Sequence, residues 1–395
     1  MKSICKVILP GLVAAALCAA PACNQIDGDV PAAGGSLSLR ISDGSSVTTK
    51  SALSESYFDD EKAKKDVQVF IFNSTSDALN GTLYRKVDAT AGLDGQIHLD
   101  NVNVGSYNIA VYLNGKTSAL DPIVALDTVK TLGSLRNLVV SLASSVPGAQ
   151  FTMYGEEGGV YVANGREAQA TVNVKRFVSR IMLESVKLSD KFPEAYGSFV
   201  VDQAFVINGY SSWRFAGSDV DQTVVPGDMV NVAGRKSGKA ASASADDFIA
   251  AASDVEAYGQ FSKQTFLSYG EGKAVAKGDA VTFGDVFYIF PNAAASDEAA
   301  EGDAAASFSG PFAGTDLSVL PARLVVYGHF SGDPSKKFYY PVTIGGMQRN
   351  HRYAVQLTVA GFGSDDPNKQ VMKGSLDVTV SVLDWEENHD IPKEI

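Results

Sequence analysis

The chain has 395 residues, enough for about two domains at roughly 150 residues each. Hydrophobic residues at 45% and charged residues at 20% exclude a largely disordered chain. With 33 Lys+Arg against 45 Asp+Glu, the formal charge of −12 repels phosphate backbones and argues against nucleic-acid binding.

Residues 1–22 read as a secretory signal peptide. Lys2 and Lys6 give the positive start, Val7 to Leu17 the apolar stretch, and Ala20-Pro21-Ala22 the small residues before a cut at Cys23. The stretch contains Pro10 and Gly11 and falls short of the ~20 apolar residues that span a bilayer. No later segment approaches that length. All three cysteines, Cys5, Cys18 and Cys23, lie at or before the cut, so the mature chain holds no internal disulfide. Two readings of Cys23 stand. As a bacterial lipobox cysteine its thiol carries a diacylglycerol anchor; as an incidental residue it follows an ordinary Ala-x-Ala cut, since Ala20 and not leucine stands at −3. Both export the protein.

Residues 24–35 are rich in Gly, Pro and Asp and read as a tether. Ser36 to Ser42 then alternates strictly, with Leu37, Leu39 and Ile41 on one side, the period of a half-buried strand. Residues 43–66 are polar. Val67 to Phe72 reads as a central strand, and Ile97–Leu99 and Tyr107–Leu113 as further strands around a turn at Gly105. Leu126, Val129, Leu132, Leu135, Leu138, Val139 and Leu142 recur at helical spacing, with Gly133 weakening the middle. Strands are expected again at Gln150–Tyr154, Ala170–Val174, Arg180–Leu188 (with a slip in phase after Leu183), Phe199–Ile207, Val281–Phe290, Arg323–Phe330, Tyr339–Ile344, Tyr353–Val359 and Leu376–Leu383. A short helix is expected within 246–257 and an exposed loop at 293–307. The pattern predicts a mainly β protein of two β-sandwich domains with a few short helices.

The chemistry-bearing residues form no catalytic, cofactor or metal constellation. His98, His329, His351 and His389 stand at no metal-ligand spacing, and Cys-x-x-Cys and Gly-x-Ser-x-Gly are absent. Gly234 to Ala240 has the look of a phosphate loop, but its glycines are one residue too close and Ala240 replaces the Ser/Thr that a Mg²⁺ site needs. Asp365-Asp366-Pro367 reads as a turn. Trp213 and Trp385 could each stack on a sugar, but a lone Trp is more often core. The expectation is a protein that is not an enzyme.

Several blocks, taken in order, resemble the Bacteroidales fimbrillins, the FimA-type fimbrial subunits. The most specific is Gln348-Arg349-Asn350-His351-Arg352-Tyr353, leading through a strand into Gly361-Phe362-Gly363 and Asp365-Asp366-Pro367, then Leu376 to Val382 and Trp385. Val174 to Arg180 is a second block. Asn101 to Tyr107, followed by Leu113-Asn114, is a third. The resemblance implies a lipoprotein precursor whose first strand, in a propeptide over 23–50, is removed by a trypsin-like surface protease. Two transthyretin-like sandwiches would follow, over 51–170 and 171–395. It also implies polymerisation by strand exchange, with identical and other fimbrial subunits as partners, and no cofactor. The membrane enters only through the lipid anchor at Cys23, and the mature protein belongs to a surface fimbrium. The matching cut falls at Lys50-Ser51, where the family usually presents Arg.

On this reading Leu37, Leu39 and Ile41 form the leaving strand, and a neighbour's tail the donor, with Trp385, Ile391 and Ile395 sharing strand parity. Glu386 to Asp390 and Pro392 fit that role poorly. The alternatives are exchange by 376–383, or a tip or accessory adhesin that recognises a host protein or glycan.

Overall fold

A computed structural model describes residues 34–42, 66–89, 96–115, 124–141, 151–207, 212–215, 266–291, 321–365, 367, 369, 371–372 and 374–384. Cys23, Lys50, Ser51, the segments 234–240, 246–257 and 293–307, and the tail with Trp385, Ile391 and Ile395 lie outside the described residues. No helix among the described residues is long and apolar enough to cross a membrane.

The first sandwich pairs a three-stranded with a five-stranded sheet. The smaller holds β1 (Gly35–Ser42) at its centre, antiparallel to β4 (Gln96–Val102) and parallel to β8 (Glu167–Asn173). The larger contains β2 (Val67–Asn73), β3 (Leu83–Ala89), β5 (Gly105–Leu113), β7 (Met153–Val162) and β9 (Lys175–Arg176), in the order β3-β2-β5-β7-β9. β2 is buried on both faces. Val67, Val69 and Ile71 enter the core between the sheets, while Phe70 and Phe72 enter a second core on the outer side.

The second sandwich opposes two four-stranded sheets. One has the order β14-β10-β17-β18, with β10 (Ser179–Leu188), β14 (Ala280–Ile289), β17 (His351–Val359) and β18 (Leu376–Asp384). The other has the order β13-β11-β15-β16, with β11 (Phe199–Ile207), β13 (Phe266–Val275), β15 (Ala322–Phe330) and β16 (Asp333–Ile344). The slip in Arg180–Leu188 is a register shift between Leu183 and Ser185, as in a β-bulge. It returns Val186 and Leu188 to the core side beside Ile181 and Leu183.

The chain crosses between sandwiches at 177–178, not at 170/171. β8 runs beside β1 to Asn173, and Arg176 of β9 pairs with Met153 of β7. β1, from the expected propeptide 23–50, is packed in the first sandwich. The expected helix over 126–142 is also corrected. The segment contains a 3-10 turn at Val124–Thr128, the short helix α1 (Leu132–Arg136) and β6 (Val139–Ser141). α1 starts at a Thr131/Ser134 capping box and ends at Asn137. β-branched Val139 and Val140 then pair with β12 (Ser212–Arg214), a partner distant in sequence. Leu126, Val129, Leu132, Leu135 and Val140 still bury against one core, so the stripe marked a shared face rather than one helix.

That core joins the sandwiches. The outer side of the five-stranded sheet gives Phe72, Tyr112 and Tyr154, the β12 segment gives Trp213 and Phe215, and the end of β14 gives Tyr288 and Phe290. Tyr112 stacks on Phe215 at 4.9 Å, and Phe151 lies 4.7 Å from Tyr288 between ring centroids.

Candidate functional site: the first strand and its groove

β1 is hydrogen-bonded along both edges. Leu37 and Leu39 face Leu99 and Ile97 of β4, and Ser36 to Ser42 run beside Glu167 to Asn173 of β8. Leu37, Leu39 and Ile41 all point into the core and are at most 3% exposed. They pack in a cluster that includes Val69, Ile71, Ile109, Val111 and Val172. Burying three such side chains contributes roughly 5–9 kcal/mol. That is comparable with the whole net stability of a domain, about 5–15 kcal/mol. Without β1 this core would lose those contacts, and the facing backbone edges of β4 and β8 would be unpaired.

The ends of β1 are fixed by the backbone. Ser36 N–H donates to the Arg166 carbonyl at 3.1 Å, and Val174 N–H to the Ser42 carbonyl at 2.7 Å. A Cβ at Gly35 would lie 2.4 Å from the Ala163 carbonyl oxygen and 2.7 Å from that of Arg166. Gly34 and Gly35, expected as the end of a tether, thus form the tight seat of the strand. The outward face carries Ser36, Ser38, Arg40 and Ser42. There His98 of β4 reaches across all three strands. Its Nδ1 lies 3.3 Å from Ser38 Oγ and 3.2 Å from Glu167 Oε1, and its Nε2 lies 3.0 Å from Asp100 Oδ1. Solvent-exposed pairs of this kind contribute about 0–1 kcal/mol. The apolar face holds β1; the clasp adds little. Sequence alone offered no signal for it, because it needs the β4-β1-β8 order.

β18, the alternative exchanging strand, is an edge strand paired only with β17, Leu376 opposite Val359 and Asp384 opposite His351. Leu376 and Val380 pack against the second core. Val378 and Val382, of the same parity, are 39% and 57% exposed. Trp213 is core, buried beside Phe290 at 6.2 Å.

Turns recur in the blocks that carry the resemblance. The described non-glycine residues with positive φ are Asn101 (56°), Asn114 (62°) and Asn350 (61°), and every one lies in such a block. Asn reaches the left-handed region more readily than other side-chain-bearing residues. Among the described residues no three His, Cys, Asp or Glu side chains gather as a metal site.

No protein-family model and no curated protein sequence matches the chain. Solved structures do match, over nearly its whole length. A structure designated a cell adhesion protein from Bacteroides eggerthii is 18% identical with a TM-score of 0.55, covering 91% of this chain and 98% of that one. Another so designated, from Parabacteroides distasonis, is 13% identical with a TM-score of 0.56, covering 91% and 99%. A fimbrilin (FimA) from Porphyromonas gingivalis is 13% identical with a TM-score of 0.54, covering 89% and 97%. At these identities the likeness is one of fold. The chain has the mainly β, two-sandwich fold of these fimbrillin and cell-adhesion structures.

Proposed function

We propose that the chain is a structural subunit of a surface fimbria, exported as a lipoprotein anchored through Cys23, cut after Lys50 and polymerised by strand exchange. The observation that carries this reading is β1. It is the central strand of its sheet, contributes three buried side chains to the core, and is followed at once by the polar segment that contains Lys50. A cut in that segment makes an intramolecular strand a separate, exchangeable one. The shared fold supports the same reading.

The donor in this proposal is the tail of a neighbouring copy, which carries Trp385, Ile391 and Ile395 at one strand parity. A second reading is favoured by the half-uncovered valines of β18, whose series Leu376, Val378, Val380 and Val382 repeats the alternation of β1. A tip or accessory adhesin with the same fold would keep the groove and lack a donor.

Trypsin treatment of the purified chain, followed by a denaturing gel without boiling, tests the proposal. Cut protein is expected to run as a ladder and uncut protein as a monomer; a single band from cut protein would favour the adhesin. Loss of the ladder on deleting 386–395 assigns the donor to the tail, and its persistence assigns it to β18.

A further inference from the structure

The turn that seats the start of β1 holds a chemically reactive pair. β7 ends at Val162 and β8 begins at Glu167, with Ala163, Asn164, Gly165 and Arg166 between them. Arg166 N–H donates to the Ala163 carbonyl at 3.3 Å and closes the turn. The same two residues face β1: Ser36 N–H donates to the Arg166 carbonyl, and the Ala163 carbonyl stands against Gly35. Both flanks are fixed. Val162 is buried opposite Gly105, and Glu167 pairs with Ser36. The turn therefore cannot change length without moving the carbonyls that seat the strand.

Asparagine is thermolabile in water, most of all before glycine. The glycine amide nitrogen gives its proton to solvent base and attacks the asparagine Cγ. A new N–Cγ bond forms, the Cγ–Nδ2 bond breaks, ammonia leaves, and a five-membered succinimide remains. Water then opens the ring at either carbonyl. Opening at Cγ gives aspartate. Opening at the main-chain carbonyl gives isoaspartate, whose backbone runs through Cβ and Cγ and is one carbon longer. Nothing is oxidised or reduced, and water is the only co-reactant. Glycine favours closure because no Cβ crowds the attacking nitrogen.

The chain has four Asn-Gly pairs, of which Asn208-Gly209 lies outside the described residues. Asn80 is exposed, but the Gly81 N–H donates to the Asn73 carbonyl at 2.7 Å, so the nucleophile is tied. Asn114 is buried, and its Nδ2 donates to the Phe151 carbonyl at 2.9 Å, so its amide is held away from water. Asn164 and Gly165 are both exposed and make no hydrogen bond to a described residue. A Cβ at Gly165 would meet nothing within 4 Å, so the ring has room to form.

We propose that Asn164-Gly165 is a site of self-modification, and that its isoaspartate form loosens the hold of the turn on β1. The added backbone carbon is taken up within four residues whose ends are pinned. The Ala163 or Arg166 carbonyl therefore moves, and the Ser36 hydrogen bond weakens. Ageing thus brings the uncut chain closer to releasing its first strand, whether or not a neighbour later replaces that strand.

The test holds the full, uncut chain in warm, mildly alkaline buffer, where the amide proton is lost faster, and samples it over time. Peptide mapping measures conversion at each pair, and labelling by an isoaspartyl methyltransferase measures isoaspartate. Conversion at Asn164 at least tenfold faster than at Asn80 and Asn114 is expected; an equal or slower rate would overturn the site. Hydrogen exchange at the Ser36 amide, read by fragmentation mass spectrometry, tests the consequence, and should be at least tenfold faster in aged than in fresh protein. Asn164→Gln protein, which would have to close a six-membered ring, should keep its fresh exchange rate when aged alongside. If it speeds up equally, the change arises elsewhere and the effect on β1 is overturned. Fresh Asn164→Asp protein carries the new charge without the extra carbon and should exchange like the parent. Exchange in that variant as fast as in the aged parent would assign the effect to charge and overturn the lengthened turn.

Discussion

The Arg176 guanidinium donates to Asn350 Oδ1 at 3.0 Å, joining the last strand of the first sandwich to the turn that opens β17 in the second. Arg176 is fully buried, and its backbone N–H shares the same acceptor at 3.3 Å. Asn350 in turn donates its backbone N–H to the Val178 carbonyl at 3.0 Å, and Ser179 Oγ donates to the Gln348 carbonyl at 2.7 Å. Two blocks far apart in sequence are thus two halves of one joint.

Asn350→Ala should therefore lower stability by about 2–4 kcal/mol, because a buried charged donor loses an acceptor and alanine resists positive φ. Asn350→Gly removes the side chain but accommodates the backbone, and should cost less. Urea unfolding midpoints of the two variants check this. Equal, small losses would mean that the joint does not depend on Asn350.

What was legible in sequence and what was not divide along physical lines. The period of two in Leu37, Leu39 and Ile41 gave a buried strand, and the phase change between Leu183 and Val186 gave the register shift in β10. The Asn-bearing blocks were legible as motifs because few residues tolerate their turns. Non-local pairing was not legible. Val139 and Val140 looked helical because their partner strand lies at Ser212–Arg214. β13 went unread because Gly270 and Gly272, both at positive φ, interrupt its alternation. The placement of β1 between β4 and β8 could not be read, since no local pattern encodes neighbours so far along the chain.

Gly35→Val should loosen β1. The new side chain meets the Ala163 and Arg166 carbonyls well inside contact distance. Uncut protein should melt several degrees lower, and cut protein should form oligomers faster because the strand leaves more readily. A thermal melt and a time course of the ladder measure both. An unchanged melt would show that Gly35 is not part of the seat.

Alkaline pH should unfold the protein cooperatively. Burial pushes the Tyr112 phenol up, with Asp66 adding to the effect. It does the same for Tyr154, beside Glu156, and for Tyr340. Above about pH 10 the unfolded chain releases these protons while the folded one retains them, so stability falls as pH rises past that value. Tyrosinate absorbance from these residues should appear together with loss of the β-sheet circular dichroism. Ionisation of all tyrosines in the folded state would contradict their burial.

Cys23→Ser should leave the chain exported but free of lipid. Partitioning into a detergent phase checks this, with the parent expected in detergent and the variant in water. A variant that still partitions into detergent would remove Cys23 as the anchor.

The central claim is that β1 is the strand a neighbour replaces. Mass spectrometry of the oligomers that resist dodecyl sulfate after trypsin treatment tests it most directly. The account predicts subunits that begin at Ser51, with the peptides carrying Leu37 and Leu39 and, after the trypsin site at Arg40, Ile41 absent from the oligomer and recovered in the free fraction. Oligomers that retain those peptides in stoichiometric amount would contradict it.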